Sequence, residues 1–312
     1  MKFTAQQIAD ILKGEVIGNA SIEVYKLSKI EEGVEGSLTF LSNLKYTNYL
    51  YSTKASIVIV NHSFVLENEV KTTLIKVEDA YKAFSTLLEF YNQIKLSKSG
   101  IESPSFVSDS AVYGSNIYIG AFSYIGNNVV IGSNVKIYPN TFIGDNVKIG
   151  DNVILFSGVK IYSESIIGNN CNIHSGTIVG SDGFGFAPTP DGSYAKIPQI
   201  GNVIIEDDVE IGANCTIDKG VTHDTRIGRG TKFDNQIHIG HDTVIGKNCL
   251  FAAAVAVAGC VTIEDGVTLW GQVVVNKTLT IGENAVLLGR TGVAGDLEGN
   301  KTYWGAPAQE AR

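Results

Sequence analysis

Positive charge is scarce in this chain: 24 Lys and Arg stand against 32 Asp and Glu, a formal net charge of −8. That balance argues against broad adhesion to nucleic acid or to an anionic membrane, and leaves room only for a local basic patch that receives an acidic partner. Cysteine is sparse as well. Cys171, Cys215, Cys249 and Cys260 lie far apart with no C-x-x-C pair, so neither a disulfide framework nor a zinc knuckle is indicated. They read as reduced, mostly buried thiols. No apolar run is long enough to span a bilayer, and Met1-Lys2-Phe3-Thr4-Ala5-Gln6-Gln7 lacks the apolar core of a signal peptide. A cytoplasmic protein without stable membrane insertion is the expectation, and a lipidic substrate can still arrive on a carrier.

What the chain has in quantity is aliphatic residues at one spacing. From Ile119 to Val179 every sixth residue is Ile, Leu or Val, and from Ile227 to Val293 every sixth is Ile, Leu, Val or Phe. If about one residue in three is of these types, twelve successive hits have a chance probability on the order of one in a million. Gly commonly follows the aliphatic residue, as at Gly120, Gly126, Gly132, Gly240 and Gly246, with Asn or Asp close behind. Both types tolerate the positive φ of a tight corner, so each hexad reads as a short strand plus a turn, and stacked hexads make a solenoid. The pattern resembles the left-handed parallel β-helix of the hexapeptide-repeat acyltransferases. Handedness and a three-sided coil are implied by that resemblance, not by the period.

The period breaks between Val179 and Ile205 and again between Ile217 and Ile227. The first break carries Ser181-Asp182-Gly183-Phe184-Gly185-Phe186-Ala187-Pro188 and reads as an extruded loop at about 181–202. Residues 1–100 show no hexads and form a separate small α/β domain, while 101–312 form the β-helix. Thr4 and Gln7 predict a capping box for a helix through Leu12 ended by Gly14, and the spacing of Ala80, Phe84, Leu87, Leu88 and Tyr91 predicts a helix over 78–93. The runs 55–60 and 72–77 read as buried strands.

Of five histidines, only His238 and His241 fall close together, in Asp234-Asn235-Gln236-Ile237-His238-Ile239-Gly240-His241-Asp242. Ile239 is the inward residue of its hexad, so both imidazoles are available to the outer surface, where a neutral ring can act as a general base. Spacing alone leaves two readings open: a base, or inert surface histidines in a polar hexad. His62, His174 and His223 are isolated and read as structural.

Several segments together resemble one family, the UDP-3-O-acylglucosamine N-acyltransferases of lipid A biosynthesis. They are Leu38-Thr39-Phe40-Leu41-Ser42-Asn43-Leu44-Lys45-Tyr46, the Gly183-Phe184-Gly185-Phe186 loop, Lys196-Ile197-Pro198-Gln199, Val209-Glu210-Ile211-Gly212-Ala213-Asn214, Thr216-Ile217-Asp218, Asp234-Asn235 and Ile239-Gly240-His241. The resemblance implies transfer of a 3-hydroxyacyl chain from the thioester of acyl carrier protein to the glucosamine 2-amine, with His241 as the base and the Gly259 backbone N–H as oxyanion donor. It implies that Phe40 and Tyr46 flank a uracil whose edge Asn43 bonds. His238 would touch the thioester side or orient the substrate, and Asp242 would support His241. It further implies a homotrimer with the site between neighbouring β-helices. No cofactor is held permanently; 4′-phosphopantetheine arrives on acyl carrier protein, and no metal is called for. Arg226, Arg229, Lys232 and Lys247 form a basic stretch that either receives that acidic carrier or is simply solvated. Gly292 stands near a position that limits acyl length in relatives and suggests a roomier pocket end.

Two departures qualify the match. Thr278, after Lys277, stands where the family has a substrate-holding histidine, and the chain stops at Arg312 where the family continues into helices that aid trimer and carrier contacts. The stretch His238-Ile239-Gly240-His241-Asp242 also resembles the UDP-N-acetylglucosamine O-acyltransferases, which makes O-acylation the alternative. A metal-dependent hydratase on the same β-helix would need three converging ligands, and a non-catalytic sugar-nucleotide-binding solenoid is the remaining reading.

Overall fold

The structure, a computed structural model, describes residues 2–307 and 309–310 and divides into two units, 1–97 and 98–312. In the first, Glu15–Ile17, Thr73–Val77, Ile57–Asn61, Ser37–Leu41 and Lys26–Leu27 lie side by side in that order, the first pairing antiparallel and the rest parallel. Both faces of this sheet are covered. Ile57 and Ile59 pack on the helices Ala5–Leu12 and Ala80–Leu96, while Val58 and Val60 pack with Ile30, Leu41, Leu50 and Leu74 on the other side. Two-sided burial is why the strand is an unbroken apolar run rather than an alternating one.

The first helix begins as its sequence predicts: Thr4 Oγ1 accepts from Gln7 N–H at 3.2 Å and Gln7 Oε1 accepts from Thr4 N–H at 2.9 Å. Its left-handed C-cap is Lys13, however, at φ 54°. Gly14 serves a different need, because a Cβ there would come within 2.7 Å of the Lys76 carbonyl oxygen on the neighbouring strand.

In the second unit two-residue strands stack into three parallel sheets. Each pairs with the strand 18 positions on, as Val112 with Val130 and Tyr118 with Lys136, so three hexads make one coil. The hexad aliphatics point inward and form one continuous buried core from Ile119 to Val293. Glycine and asparagine divide the corner between them. The positive φ falls on the third residue after the aliphatic, as at Asn128, Asn134, Asn146 and Asn152. Apart from Gly180 at the start of the first insertion, the glycine next to the aliphatic has no positive φ and answers to close approach: a Cβ on Gly120 would meet Pro139 N at 2.6 Å, and one on Gly126 would meet Asp145 N at 2.9 Å. Glycine's permissive φ, expected from the sequence, is therefore not what these positions use. Down one corner Asn116, Asn134, Asn152, Asn170 and Asp208 are joined side chain to side chain at 2.9–3.1 Å, which satisfies groups that the turns would leave open.

Both breaks in the period leave the solenoid at one corner. Val179 pairs with Ile217, 38 positions on rather than 18, so twenty residues are extruded, and their centre is a hairpin of Phe186–Pro188 with Tyr194–Lys196. Ile217 pairs with Ile239, 22 positions on, so four more residues bulge out after Ile217. The coils themselves continue in register past both insertions.

Candidate active site

The coils above the two insertions break the corner pattern. At the left-handed position where asparagine is usual, three successive coils carry Asp242, Cys260 and Thr278, with φ of 55°, 62° and 61°. The residues just before them are His241, Gly259 and Lys277. Five of these six, all but Asp242, line one groove of about 590 Å³, together with Asp218, His238 and Phe184 of the extruded loop.

His241 is held from both ends. Its Nδ1 lies 2.8 Å from Asp242 Oδ2, and Asp242 accepts further from Val221 N–H at 3.0 and 3.1 Å, within the four-residue bulge. Burial of the Asp242 carboxyl works against ionisation, but the bonds from His241 and from the Val221 and His223 N–H groups outweigh it and hold its pKa below the ordinary value. An ionised partner at Nδ1 leaves Nε2 as the free nitrogen, the tautomer a base needs. Nε2 lies over Gly259, where an added Cβ would be 2.6 Å away. Gly259 has no side chain because the imidazole occupies that space.

The Gly259 N–H faces the groove without a cap. At several comparable corners this N–H is capped by the next coil: Asn127 N–H by Asp145, Ser133 N–H by Asp151 and Lys247 N–H by Asp265, each at 2.7 Å. Above Gly259 the next coil brings Lys277, a cation with nothing to accept. Among the described residues the Gly259 N–H has no acceptor. A free N–H beside an ammonium group is a place for developing negative charge.

His238 stands on the adjacent strand, half exposed, with Nδ1 2.8 Å from Thr216 Oγ1 and Nε2 3.8 Å from Asp218 Oδ2. Along this face His238 pairs with Ala256, Ala256 with Val274, and Val274 with Gly292, a row of small apolar outward residues leading away from the histidines. The loop closes on the other side. Gly183 N–H donates to the buried Gln199 Oε1 at 2.7 Å and its carbonyl accepts from Lys196 Nζ at 3.0 Å, while Asp182 pairs with Lys196 and Lys219.

The structure thus brings His238, His241, Asp242 and Gly259 together, with Thr278 on the same wall. Phe40, Asn43 and Tyr46 meet in the first unit around a separate cleft of about 400 Å³, also lined by Lys29, Glu31 and Ser42. Phe40 has one face stacked on Phe84 at 4.3 Å, so part of it is core. Asn43 Oδ1 caps the turn Leu44–Tyr46 by accepting from Lys45 N–H at 3.0 Å, and the Tyr46 ring is exposed.

Three features went unread in the sequence. Three of the four thiols are buried as expected, but Cys260 is exposed at the groove, and its sulfur, a His241 nitrogen and an Asp242 oxygen lie within 4.8 Å of one another. Only one of those three is an imidazole, unlike the histidine set of a hydratase. Asp218 appeared only as part of a motif. The basic stretch is largely spent: Arg226 pairs with Glu206 and Asp224, Arg229 with Asp208, and Lys232 donates to the Asp208 carbonyl. Loss of asparagine does not by itself mark the site, because the neighbouring corner lacks it as well, at Gln236, Ala254, Gln272 and Arg290.

A parallel β-helix with a histidine, a glycine N–H and an apolar row in one groove defines a transferase of the hexapeptide-repeat class, and the profile of bacterial transferase hexapeptides matches residues 113–145 and 146–181. The particular family follows from the rest of the chain. The profile described as UDP-3-O-(3-hydroxymyristoyl) glucosamine N-acyltransferase matches residues 21–90. A UDP-3-O-acylglucosamine N-acyltransferase of Christiangramia forsetii is 68% identical over 259 residues, covering 83% of this chain and 76% of that relative. One of Bacteroides thetaiotaomicron is 60% identical over 259 residues, covering 83% and 75%. The chain belongs to the UDP-3-O-acylglucosamine N-acyltransferase family. Among solved structures, an Arabidopsis UDP-N-acetylglucosamine acyltransferase superposes with a TM-score of 0.61 at 26% identity, covering 68% of this chain and 73% of that one.

Proposed function

We propose that the protein transfers an acyl chain from the thioester of acyl carrier protein to the 2-amine of UDP-3-O-acylglucosamine, a step of lipid A biosynthesis, with His241 as general base. The observation that carries this is His241 Nε2 poised over Gly259 with Nδ1 fixed by Asp242. The amine nitrogen attacks the thioester carbonyl carbon and gives one proton to Nε2. The carbonyl oxygen takes up the electron pair and is held by the Gly259 N–H beside Lys277. Collapse breaks the C–S bond, and the departing thiolate of the 4′-phosphopantetheine arm takes the proton from His241.

The apolar row Ala256, Val274 and Gly292 supports an acyl chain running away from the histidines, and the cleft of Phe40, Asn43 and Tyr46 supports a uracil, whose faces stack on aromatic rings and whose edge an amide can bond. O-acylation is disfavoured because the N-acyltransferase profile matches residues 21–90 in the first unit and a named UDP-3-O-acylglucosamine N-acyltransferase is 68% identical over 259 residues. In this reading the active assembly is a homotrimer working in the cytoplasm, where carrier-bound acyl chains and UDP-sugars are made. No helix among the described residues is long and apolar enough to cross a membrane.

The test is turnover of acyl carrier protein thioesters with UDP-3-O-acylglucosamine by wild type and His241→Ala. The variant is expected to lose about 10²-fold or more in kcat. Undiminished turnover removes His241 as the base.

A further inference from the structure

Asp218 is a carboxylate the solenoid does not need. It lies one position past the inward Ile217, where the chain bulges from the coil, and its side chain is one-tenth exposed. Burial raises its pKa above the ordinary carboxylate value, against the pull of His238, the Ser181 hydroxyl, His241 and Lys196. Oδ1 is engaged, accepting from Ser181 Oγ at 3.0 Å. Oδ2 accepts no hydrogen bond among the described residues; His238 Nε2 stands 3.8 Å off, beyond hydrogen-bond reach. A buried carboxylate oxygen without a donor is costly unless a ligand supplies one.

The direction of that oxygen is informative. Asp218 lines the groove that holds His238, His241 and Gly259. A Cβ on Gly183 would sit 3.2 Å from Asp218 Oδ2 and 3.0 Å from His241 Cβ and Cδ2, so the loop carries glycine where it passes close to both the carboxylate and the imidazole.

We propose that Asp218 is the residue that recognises the acceptor nitrogen: Oδ2 accepts a hydrogen bond from the sugar's 2-amino group and turns its other N–H toward His241 Nε2. This rests on the N-acyltransferase reading and adds a cause for the choice of nitrogen over oxygen. An ionised carboxylate only accepts. A neutral amine has two N–H bonds, one for Asp218 and one for His241, with the lone pair left for the thioester carbon. A hydroxyl has one proton, and if it is given to Asp218 none faces the base. The balance closes on the product: the proton on the His241 side leaves with the thiolate, and the proton held by Asp218 remains as the amide N–H. Asp218 is thus a specificity-determining residue that holds the reacting nitrogen without exchanging its proton.

The experiment measures binding and turnover of UDP-3-O-acylglucosamine and of its 2-hydroxyl counterpart, UDP-3-O-acylglucose, in wild type and Asp218→Asn. Wild type is expected to favour the amine over the hydroxyl compound about 10- to 100-fold in kcat/KM, the range of a hydrogen bond to a charged group that only the amine can make while still facing the base. In Asp218→Asn that preference falls to within about threefold, because kcat/KM with the amine drops and kcat/KM with the hydroxyl compound does not. Ser181→Ala, which frees Oδ1 and lets the carboxylate swing, shifts the same ratio by a smaller factor and stands in if Asp218→Asn does not fold. A full amine preference retained in the folded variants overturns the assignment. Failure of wild type to acylate nitrogen at all instead overturns the reaction reading, so the two failures are distinct.

Discussion

Gly259→Ala is the sharpest perturbation of the site, because it adds one carbon and keeps the backbone N–H. That carbon would stand 2.6 Å from His241 Nε2 and 2.7 Å from Cε1, about 1 Å inside the roughly 3.5 Å at which such atoms rest. Backbone yields little here, since Gly259 O accepts from Thr278 N–H and Cys260 N–H donates to His241 O at 2.8 Å, tying the corner to the coils on both sides. The imidazole must therefore move by about 1 Å, off its bond to Asp242 or away from the groove. A displacement of that size at a reacting group costs about 10²-fold in rate, equivalent to about 2.7 kcal/mol on the barrier. The assay is single-turnover acyl transfer, paired with a thermal melt, and the comparison is Gly271→Ala. At Gly271 an added Cβ meets nothing closer than the Ala253 carbonyl oxygen at 3.5 Å, so that variant should keep its rate within about twofold. Gly259→Ala turning over within threefold of wild type would refute the placement of His241 against this glycine.

Four further outcomes follow from the same geometry. Because burial raises the Asp218 pKa in the folded chain, ionising it costs stability. The cost is absent below the unfolded-state value and grows as pH rises through the folded-state value. Asp218→Asn should therefore melt above wild type at pH 8 and level with it at acid pH, and a melt lowered at pH 8 contradicts this. Tyr46→Ala should raise the dissociation constant for UDP about 5- to 100-fold, the usual worth of one base stack, with kcat unaltered; unchanged affinity in a binding titration removes Tyr46 from the cleft's function. Iodoacetamide should label Cys260 ahead of the buried Cys171, Cys215 and Cys249, faster as pH rises because burial and Asp242 raise its pKa, and should abolish transfer while leaving Cys260→Ser active; full activity of the labelled protein counters its position in the groove. Gly292→Leu should shorten the preferred acyl chain in a donor competition, and an unchanged chain profile would place the acyl tail elsewhere.

The coil was legible from Ile119 onward because a side-chain period of six is local, and so was the capping box of Thr4 and Gln7. What each corner residue does was less legible. Glycine and asparagine share a liking for positive φ, and only the stacked structure separates Asn128, which adopts it, from Gly126, which lets Asp145 approach. The strand order of the first unit rests on pairings between distant segments that no local pattern encodes. At the site, His241 and Asp242 are neighbours and Cys260 lies a regular 18 positions past Asp242, but Asp218 comes into place only when the four-residue insertion is subtracted from the register. The pairing of the basic stretch is not legible in the sequence because its partners Glu206 and Asp208 sit on the preceding coil, while Asp224 shares a strand with Arg226.

The most direct measurement on the central claim is the linkage made by the purified protein. Acyl carrier protein charged with a 3-hydroxyacyl chain is incubated with UDP-3-O-acylglucosamine, and the product is treated with mild alkali before mass analysis. The account predicts that the new chain survives as an alkali-stable amide while the original 3-O-ester is cleaved, and that His241→Ala makes about 10²-fold less of it. A new chain lost to alkali, or one formed at equal rate by the variant, would contradict it.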